Sequence, residues 1–356
     1  MQRIIKSSLI AAVLLTLIGC STSTNSNQAT TNSTPTKPTT LTVYTYESLT
    51  ADYGLLPLIT KQFETDHNIK IELVSFPDTG AMLNQLIAEK SAPKADVVLG
   101  LDNINFVDAT TYDLLQPYKP ARATELAPDL WFDDAYTMTP FDYGYVGFVY
   151  DTKQIQFDEP ISLATLATDP AYQDKIILEQ PGLSSPGTQF LVWLQAAFAD
   201  NATDTVNNFS NQVLTVAPDW NTAYYTMFLN GEAPIVLSYL TSPAYHIDQE
   251  QSTQYAAIPI SEGYLRQVEG VAVVKGSAAQ TTAQAFIDYL LTDDVQNQIP
   301  RTQWMWPVLG DKNTWPAAFN QIITPTAEQI LTVPPATLKT NYPTWLTEWN
   351  TAFGTL

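Results

Sequence analysis

After residue 40 the sequence alternates between short β-strand patterns and amphipathic helix patterns, and this alternation restricts the fold more than any other feature. Residues 41–46 and 69–76 are rich in β-forming side chains. Residues 95–102 are almost wholly apolar, as is typical of a strand buried in a parallel sheet. Apolar residues at helical spacing lie between these strands, around residues 56–66 and over residues 80–90. Strands and helices in alternation predict an α/β fold.

A second set of alternating elements follows. The predicted strands of this set are residues 143–151, 175–180, 213–216, 233–239, 255–260 and 270–276. The predicted helices are residues 187–200, 221–231, 279–291 and 294–299. Two α/β units, one interrupted by the other, predict a two-lobed binding protein with strands that cross between the lobes. Two sequential, independent domains are the alternative.

The N-terminus has the features of an export signal. A basic head, MQRIIK, precedes an apolar run at residues 9–18 that is shorter than the roughly 20 residues of a membrane-spanning helix. The run ends in Leu-Ile-Gly-Cys20, which resembles the bacterial lipobox. We therefore expect residues 1–19 to be a signal peptide and Cys20 to be lipidated. A secretory signal with an incidental cysteine is the alternative.

The segment after the signal peptide is expected to connect the anchor to the folded part of the chain. Residues 20–40 are rich in Ser, Thr, Asn and Pro, which predicts a disordered tether. We expect an extracytoplasmic protein, in the periplasm or at the cell surface, that is anchored to a membrane through Cys20. ATP and NAD are not expected as co-substrates there, and no cofactor is predicted.

The charge balance excludes some classes of partner. The chain has 36 acidic and 16 basic residues, and all of the acids lie after residue 40. An acidic surface repels nucleic acid and anionic lipid and favours a small cationic ligand.

The single cysteine cannot form an internal disulfide, and two distant histidines, His67 and His246, do not predict a zinc site.

Three predicted strands run into a polar corner and then into a helix. The corners contain Asp78-Thr79, Ser184-Ser185 and Thr241-Ser242. We predict Thr79, Ser185 and Ser242 as helix N-caps, with Pro186 and Pro243 at the helix starts. Such corners lie at the carboxyl ends of strands, where open α/β sheets bind ligands, and a helix N-terminus suits phosphate or another acceptor. Capping alone is the alternative for each corner.

Aromatic residues accompany these corners. Trp220 follows Asp219 just before a predicted helix, and Tyr239 and Tyr245 flank the third corner. Aromatic side chains beside hydroxyl-bearing helix starts can stack on a flat, cationic ring, although most aromatics in such proteins belong to the core.

Five segments closely resemble the family of thiamine-binding periplasmic proteins, which are the solute-binding components of thiamine ABC transporters. They are LTVYTY (41–46), KADVVLGLDN (94–103), PFDYGY (140–145), LSYLTSPAYHI (237–247) and QWMWPV (303–308). The resemblance implies a two-lobed periplasmic-binding-protein fold of type II with the ligand in the cleft between the lobes. It implies lobe 1 at residues 41–139, lobe 2 at 140–258, and a return to lobe 1 at 259–356 with C-terminal helices that could contact both lobes.

The resemblance also implies the ligand and its site. The ligand would be thiamine or its phosphates, delivered to an ABC permease by a monomeric protein. The pocket residues carried over are Asp78, Thr79, Ser184, Ser185, Trp220, Tyr239, Leu240, Thr241, Ser242 and Pro243, with Tyr46 and Tyr245 flanking the ring system. Asp102 and Asp142 are candidate partners of the thiazolium cation or structural carboxylates, and Trp304 is expected to line the cleft.

The sequence departs from the family pattern in several places. Pro-Asp-Thr-Gly stands where the family pattern has an Asp-Gly pair, so Asp78 matches the pattern and Thr79 departs from it. Leu240 replaces a threonine, which removes one potential phosphate donor, and Tyr53 replaces a tryptophan. A lipidated, tethered form also differs from the freely soluble periplasmic protein that is usual in the family.

Two alternatives to thiamine binding remain. The first keeps the fold and changes the ligand to ferric iron, held by tyrosines such as Tyr239 and Tyr245, or to a polyamine. The second is an extracellular hydrolase that uses Ser184, Ser185 or Ser242. A serine nucleophile needs a general base. His246 lies four residues after Ser242, which predicts that it sits one turn along the same helix, and the sequence has no Gly-x-Ser-x-Gly motif.

Overall fold

The computed structural model describes residues 40–354, so the predicted signal peptide, the lipid attachment at Cys20 and residues 21–39 of the predicted tether lie outside the described part of the chain. Residue 40, which we assigned to the tether, already begins the first strand. The strands are β1 (Thr40–Tyr46), β2 (Lys70–Phe76), β3 (Val97–Asp102), β4 (Leu115–Gln116), β5 (Thr139–Asp151), β6 (Ile176–Glu179), β7 (Thr215–Ala217), β8 (Ile235–Tyr239), β9 (Tyr255–Ala257), β10 (Tyr264–Val274), β11 (Trp306–Pro307) and β12 (Ile330–Leu331).

Helices separate most of these strands. The α-helices are α1 (Glu47–Thr50), α2 (Leu55–His67), α3 (Thr79–Ala88), α4 (Asn105–Thr111), α5 (Leu163–Thr168), α6 (Ser185–Phe198), α7 (Ala202–Gln212), α8 (Ser242–Gln249), α9 (Gln280–Leu290), α10 (Asp293–Gln296), α11 (Ile299–Thr302) and α12 (Pro335–Phe353). A π-helix spans Thr222–Phe228. Short 3₁₀ turns occupy Pro128–Leu130, Pro170–Tyr172, Ala199–Asn201, Lys312–Thr314, Ala317–Asn320 and Ala327–Gln329.

Hydrogen bonding joins the strands in the order β2-β1-β3-β10-β5-β8-β6-β7. The β1–β2 and β1–β3 pairs in the first half are parallel, as are β6–β8 and β6–β7 in the second half. Antiparallel strands β10 and β5 connect the halves: the first part of β5 pairs with β10 and its remainder pairs with β8. This arrangement confirms the predicted α/β class and the predicted strands that cross between two halves.

Both halves of the sheet are covered on each face by apolar side chains. In the first half, Val43 and its neighbours Val97 and Leu99 face one core cluster, whereas Tyr44 and Val98 face another. In the second half, Phe148 and Leu237 face one cluster, and Val149, Ile177 and Val236 face the opposite one. The alternation of strand side chains therefore produces cores on both sheet faces, as expected for buried strands of an α/β protein.

Several predicted boundaries were wrong. Strand β5 begins at Thr139 instead of residue 143, and β10 begins at Tyr264 instead of residue 270. Polar residues disguise both extensions: Asp142 lies in the first part of β5, and Arg266, Gln267 and Glu269 lie in the first part of β10. Residues 294–299, predicted as one helix, are divided between α10 and α11. The predicted strand at residues 255–260 ends at Ala257.

The C-terminal helix α12 packs against α4, α6 and α7. Helix α4 follows β3 in the first half of the sheet, and α6 follows β6 in the second half. Helix α12 therefore contacts helices from both halves of the sheet. The lobe boundaries at residues 139–140 and 258–259 stay a prediction.

Candidate functional site

A cavity of about 440 Å³ opens among the three polar corners. Among the described residues it is lined by ten of the fifteen that we predicted as site residues: Tyr46, Asp78, Thr79, Ser185, Trp220, Tyr239, Thr241, Ser242, Tyr245 and Trp304. These residues come from strands, helix starts and loops that lie far apart in the sequence. The chain therefore folds to bring the predicted site residues together, and their roles in binding stay a prediction.

The other five predicted residues are not among those that line the cavity. Leu240 is fully buried and belongs to the core cluster that contains Phe148 and Leu237. Pro243 is buried in the first turn of α8. Ser184, the residue before α6, is also buried, and its hydroxyl donates to Oε2 of Glu179 at 2.5 Å. Asp102 and Asp142 are fully buried within the sheet.

The three helices begin one residue earlier than we predicted. Thr79, Ser185 and Ser242 are the first helical residues, and the N-caps are Asp78, Ser184 and Thr241. Among these caps only Asp78 uses its side chain, because Oδ1 accepts from the backbone N–H of Thr79 at 2.7 Å. The shift frees the hydroxyls of Ser185 and Ser242 from capping, so that both can contribute to the cavity wall.

Asp78 joins two of the corners. Its Oδ1 accepts a second hydrogen bond from the backbone N–H of Ser185 at 3.1 Å, so one carboxylate oxygen serves the starts of α3 and α6. Burial raises the pKa of Asp78 to about 6, in spite of the hydrogen bonds from Thr79 and Ser185. The side chain is therefore ionised only in part in mildly acidic solution.

Aromatic side chains form one wall of the cavity. The Trp220 ring stacks on the Tyr224 ring, with centroids 5.1 Å apart and planes 16° apart, and the Tyr225 ring meets Trp220 edge-on. The Trp220 indole N–H donates to the Ser238 hydroxyl at 2.8 Å, which fixes the ring orientation. Trp220 is thus held on one face by Tyr224 and is positioned to stack with a planar ligand.

The π-helix brings two adjacent tyrosines to this wall. Tyr224 and Tyr225 both line the cavity and both belong to the π-helical segment Thr222–Phe228, where we predicted an ordinary helix. π-helical turns are rare and often occur at functional sites. Neither tyrosine was among the predicted site residues, although the paired tyrosines of NTAYYTMF were a visible signal.

Trp304 faces Tyr245 from the C-terminal region. The two rings meet edge-on with centroids 5.6 Å apart. Trp304 has φ of 54°, in the left-handed region that a bulky residue seldom adopts. Strain of this kind persists only where surrounding packing imposes it, and it occurs preferentially at ligand sites.

A glycine allows Tyr46 to reach the floor of the cavity. Gly100 in β3 has φ of +105°, and a Cβ atom there would come within 2.3 Å of Cε1 of Tyr46. The Tyr46 ring therefore rests directly against the β3 backbone. From this position its hydroxyl donates to Oε2 of Glu269 at 2.6 Å.

Glu269 is the lining residue of most chemical interest that the sequence analysis missed. It is buried, and its Oε1 accepts from Nε2 of Gln267 at 2.9 Å. Burial and then the nearby Asp142 raise the pKa of Glu269 well above its ordinary value. The signal that could have found it was an acid within an apolar strand, but the predicted strand began one residue later, at residue 270.

Two buried carboxyl groups, Asp78 and Glu269, line the cavity without basic partners. Three more buried acids belong to the same region: Asp102 and Asp142 pair in register with Glu269, and Glu179 accepts from Ser184. None of the five takes part in an ion pair within residues 40–354. Arg301 is the only Lys or Arg among the described lining residues. A cavity with aromatic walls and an acidic floor suits a planar cation.

The arrangement around His246 differs from that of a serine hydrolase. His246 lies one turn after Ser242 in α8, as predicted, but its Nε2 pairs with the Tyr224 hydroxyl at 3.0 Å and its Nδ1 pairs with Glu250. The Ser242 hydroxyl instead pairs with Ser238 at 2.8 Å. Both ring nitrogens are therefore engaged by groups other than a candidate nucleophile.

Residues 40–354 contain no group of three or more His, Cys, Asp and Glu side chains placed to hold a metal ion. Within these residues, no helix has both the length and the apolar character that a membrane span requires.

Comparison with known proteins gives the class. Residues 59–314 match the family of bacterial extracellular solute-binding proteins, and the chain belongs to this family. As a member of an extracellular family of binding proteins, the chain acts outside the cytoplasm.

Individual relatives show which members of this broad family the chain resembles. The chain is 39% identical over 313 residues to the thiamine-binding periplasmic protein of Escherichia coli (strain K12). The aligned region covers 88% of this chain and 93% of that protein. A solved periplasmic thiamin binding protein superposes with a TM-score of 0.82 at 37% identity, over 88% of this chain and 96% of that one. The apo ferric ion-binding protein A of Pasteurella haemolytica, at 15% identity and a TM-score of 0.71, shares the fold alone.

Proposed function

We propose that this protein captures thiamine outside the cytoplasm and delivers it unchanged to an ABC permease. The observation that carries the proposal is the pairing of stacked aromatic rings with buried carboxyl groups that lack basic partners in one cavity. Thiamine combines a flat aminopyrimidine with a permanently charged thiazolium, so it matches both features. The names of relatives at 35–39% identity support the same ligand.

Each wall would have a separate task. Trp220 would stack on one ring of thiamine, with Tyr46, Tyr245 and Trp304 enclosing the ring system. The starts of α3, α6 and α8 would hold the hydroxyethyl group or the phosphates of thiamine esters. Closure of two lobes around the ligand would then present it to the permease, as in other two-lobed binding proteins.

The mode of attachment belongs to the same proposal. A lipid on Cys20 would hold the protein at the membrane, and the segment up to residue 39 would let the binding domain reach the permease as a monomer. Metabolic labelling with a palmitate analogue tests the anchor, and Cys20→Ala is expected to abolish the label.

Isothermal titration of the full-length, detergent-solubilised protein tests the ligand. We expect thiamine to bind at micromolar concentrations or below, with thiamine recovered intact afterwards. Titrations with thiamine monophosphate and diphosphate would rank the esters. Putrescine and ferric citrate are the comparison ligands for the polyamine and iron alternatives. Absence of thiamine binding at micromolar concentrations, or conversion of thiamine to a product, would refute the proposal.

A further inference from the structure

Three buried carboxyl groups occupy matching positions on three adjacent strands. Glu269 in β10 is paired in register with Asp102 at the end of β3 and, on its other side, with Asp142 in β5. Asp102 and Asp142 are fully buried, and Glu269 is 4% exposed. Acids placed side by side across strands repel one another, so this row needs a physical reason to persist.

The three groups are stabilised very differently. Asp102 accepts from two backbone N–H groups at the start of α4 and from the Ser185 hydroxyl. Glu269 accepts from Tyr46 and from Gln267. Neither oxygen of Asp142 has a hydrogen-bond partner among the described residues.

An ionised carboxylate that is buried without a partner is destabilised by several kcal/mol, so Asp142 is best accommodated as a neutral acid. Burial raises the pKa of Asp142 to about 8. Burial opposes the ionisation of Glu269, and the charge of an ionised Asp142 would oppose it further, so the two groups do not ionise together readily. The pair therefore retains a proton at neutral pH when the cavity is empty.

The other titratable groups around the pair strengthen this conclusion. Asp102 and Asp78 act on Glu269 with like charge, while the phenols of Tyr46 and Tyr239 face it as neutral groups. Arg301, the only Lys or Arg among the described lining residues, donates to the carbonyl of Thr314. Within the described part of the chain, no ion pair neutralises Asp142 or Glu269.

Of the three acids, only Glu269 lines the cavity. We propose that Glu269 is the side chain that selects a positively charged ligand ring, and that ligand entry drives out a proton that Glu269 and Asp142 hold in the empty cleft. The inference rests on the proposed function, because it takes the thiazolium of thiamine as the cation. It adds the residue that recognises the charge and a link between binding and pH.

The step is a simple exchange of positive charge. The O–H bond of the protonated carboxyl breaks, the electron pair remains on the carboxylate oxygen, and the proton passes to solvent. The thiazolium then neutralises the carboxylate that remains. Since one proton leaves for each ligand bound, affinity should increase by up to about tenfold per pH unit while the pair is protonated, and should level off at higher pH.

Calorimetry on the full-length protein tests the inference. Thiamine is titrated at neutral pH in phosphate and in Tris, whose heats of protonation differ, so that the difference in binding heat counts the protons released. We expect the wild-type protein to release close to one proton per thiamine. Glu269→Gln should abolish most of this release and weaken affinity by about tenfold or more. Protons released by thiamine itself would persist in this variant.

Control variants separate the outcomes. Glu232→Gln changes an exposed acid outside the cavity lining and should keep wild-type affinity and proton release. If Glu269→Gln does not fold, Asp142→Asn provides the test, and its proton release should fall below the wild-type value. Thiamine binding without proton release, or unchanged release in the variants, would overturn the inference and leave the proposed function intact. Absence of thiamine binding would overturn both.

Discussion

The hydroxyl of Ser185 donates a 2.5 Å hydrogen bond to Oδ2 of Asp102, although 83 residues separate the two in the sequence. The backbone N–H of the same serine donates to Asp78. The start of α6, in the second half of the sheet, is thereby bound to the end of β3 and the start of α3 in the first half. These bonds hold the two halves together beside the cavity.

Ser185→Ala removes one hydrogen bond to the buried Asp102. We expect the free energy of unfolding to fall by about 1–3 kcal/mol, since a buried carboxyl group loses a partner. Chemical denaturation measures the change. Ser261→Ala, at an exposed hydroxyl, is the control and should stay within about 0.5 kcal/mol of wild type. Equal stability of the two variants would contradict the role of the Ser185–Asp102 bond.

Trp220→Ala should weaken thiamine binding by roughly 1–3 kcal/mol, by analogy with the stacking of aromatic side chains on nucleobases. Trp220→Phe should lose less, because an aromatic ring remains beside Tyr224. Isothermal titration gives both affinities. Tyr112→Ala, at an exposed aromatic residue outside the cavity lining, should bind as the wild type does. An unchanged affinity in Trp220→Ala would remove this residue from the site.

Leu240→Thr restores the residue that the family resemblance led us to expect. Because Leu240 is fully buried in the core, we expect the variant to lose about 2–5 kcal/mol of stability, the range for truncating a buried leucine. Its affinity for thiamine and for thiamine phosphates should not change. Tighter binding of the phosphates at unaltered stability would instead assign Leu240 to the site.

Gly80→Ala has two opposing effects on stability, a gain in helix propensity and a steric clash. Alanine in α3 is favoured over glycine by about 1 kcal/mol. However, a Cβ atom at this position would lie 2.3 Å from the carbonyl oxygen of Gly182 and 2.7 Å from that of Leu183. Backbone atoms cannot move aside cheaply, so we expect net destabilisation in thermal unfolding. Asn84→Ala, at an exposed position of the same helix, should be neutral or stabilising. A stabilised Gly80→Ala variant would show that the corners can separate freely.

The buried acids predict that the empty protein loses stability as the pH rises. The pKa of Asp78 is raised to about 6 and that of Asp142 to about 8, both by burial. A raised carboxyl pKa means that the folded state binds the proton more tightly than the unfolded state. This stabilisation is complete below the ordinary pKa of about 4 and is lost as the pH rises through the raised value.

Each such group contributes a slope of up to about 1.4 kcal/mol per pH unit within its window. Denaturation curves recorded at intervals of about one pH unit, between about pH 5 and pH 8, measure the slope. Asp142→Asn, which cannot ionise, should flatten the upper part of the curve. A free energy of unfolding that rises over this range would contradict the assignment of protonated acids.

Much of the architecture could be predicted from local patterns. The strands β1, β2 and β3 and the helices α2 and α3 follow from alternation and helical spacing, and the three polar corners follow from turn and capping residues. The errors lie where local rules compete. A serine or threonine before a helix is a plausible N-cap, but at two corners the hydroxyl bonds elsewhere: Ser185 to Asp102 and Ser242 to Ser238.

The α/β class, the polar corners and ten residues that line one cavity could be predicted from the amino-acid sequence, because they depend on periodicity, on capping chemistry and on recognisable motifs. The burial of Leu240 in the core and the side-by-side placement of Asp102, Glu269 and Asp142 appear only in the folded chain. Register between β3, β10 and β5 places these acids together, and no local pattern encodes a pairing between strands more than a hundred residues apart. Burial then changes their pKa values, and that environment exists only in the folded chain.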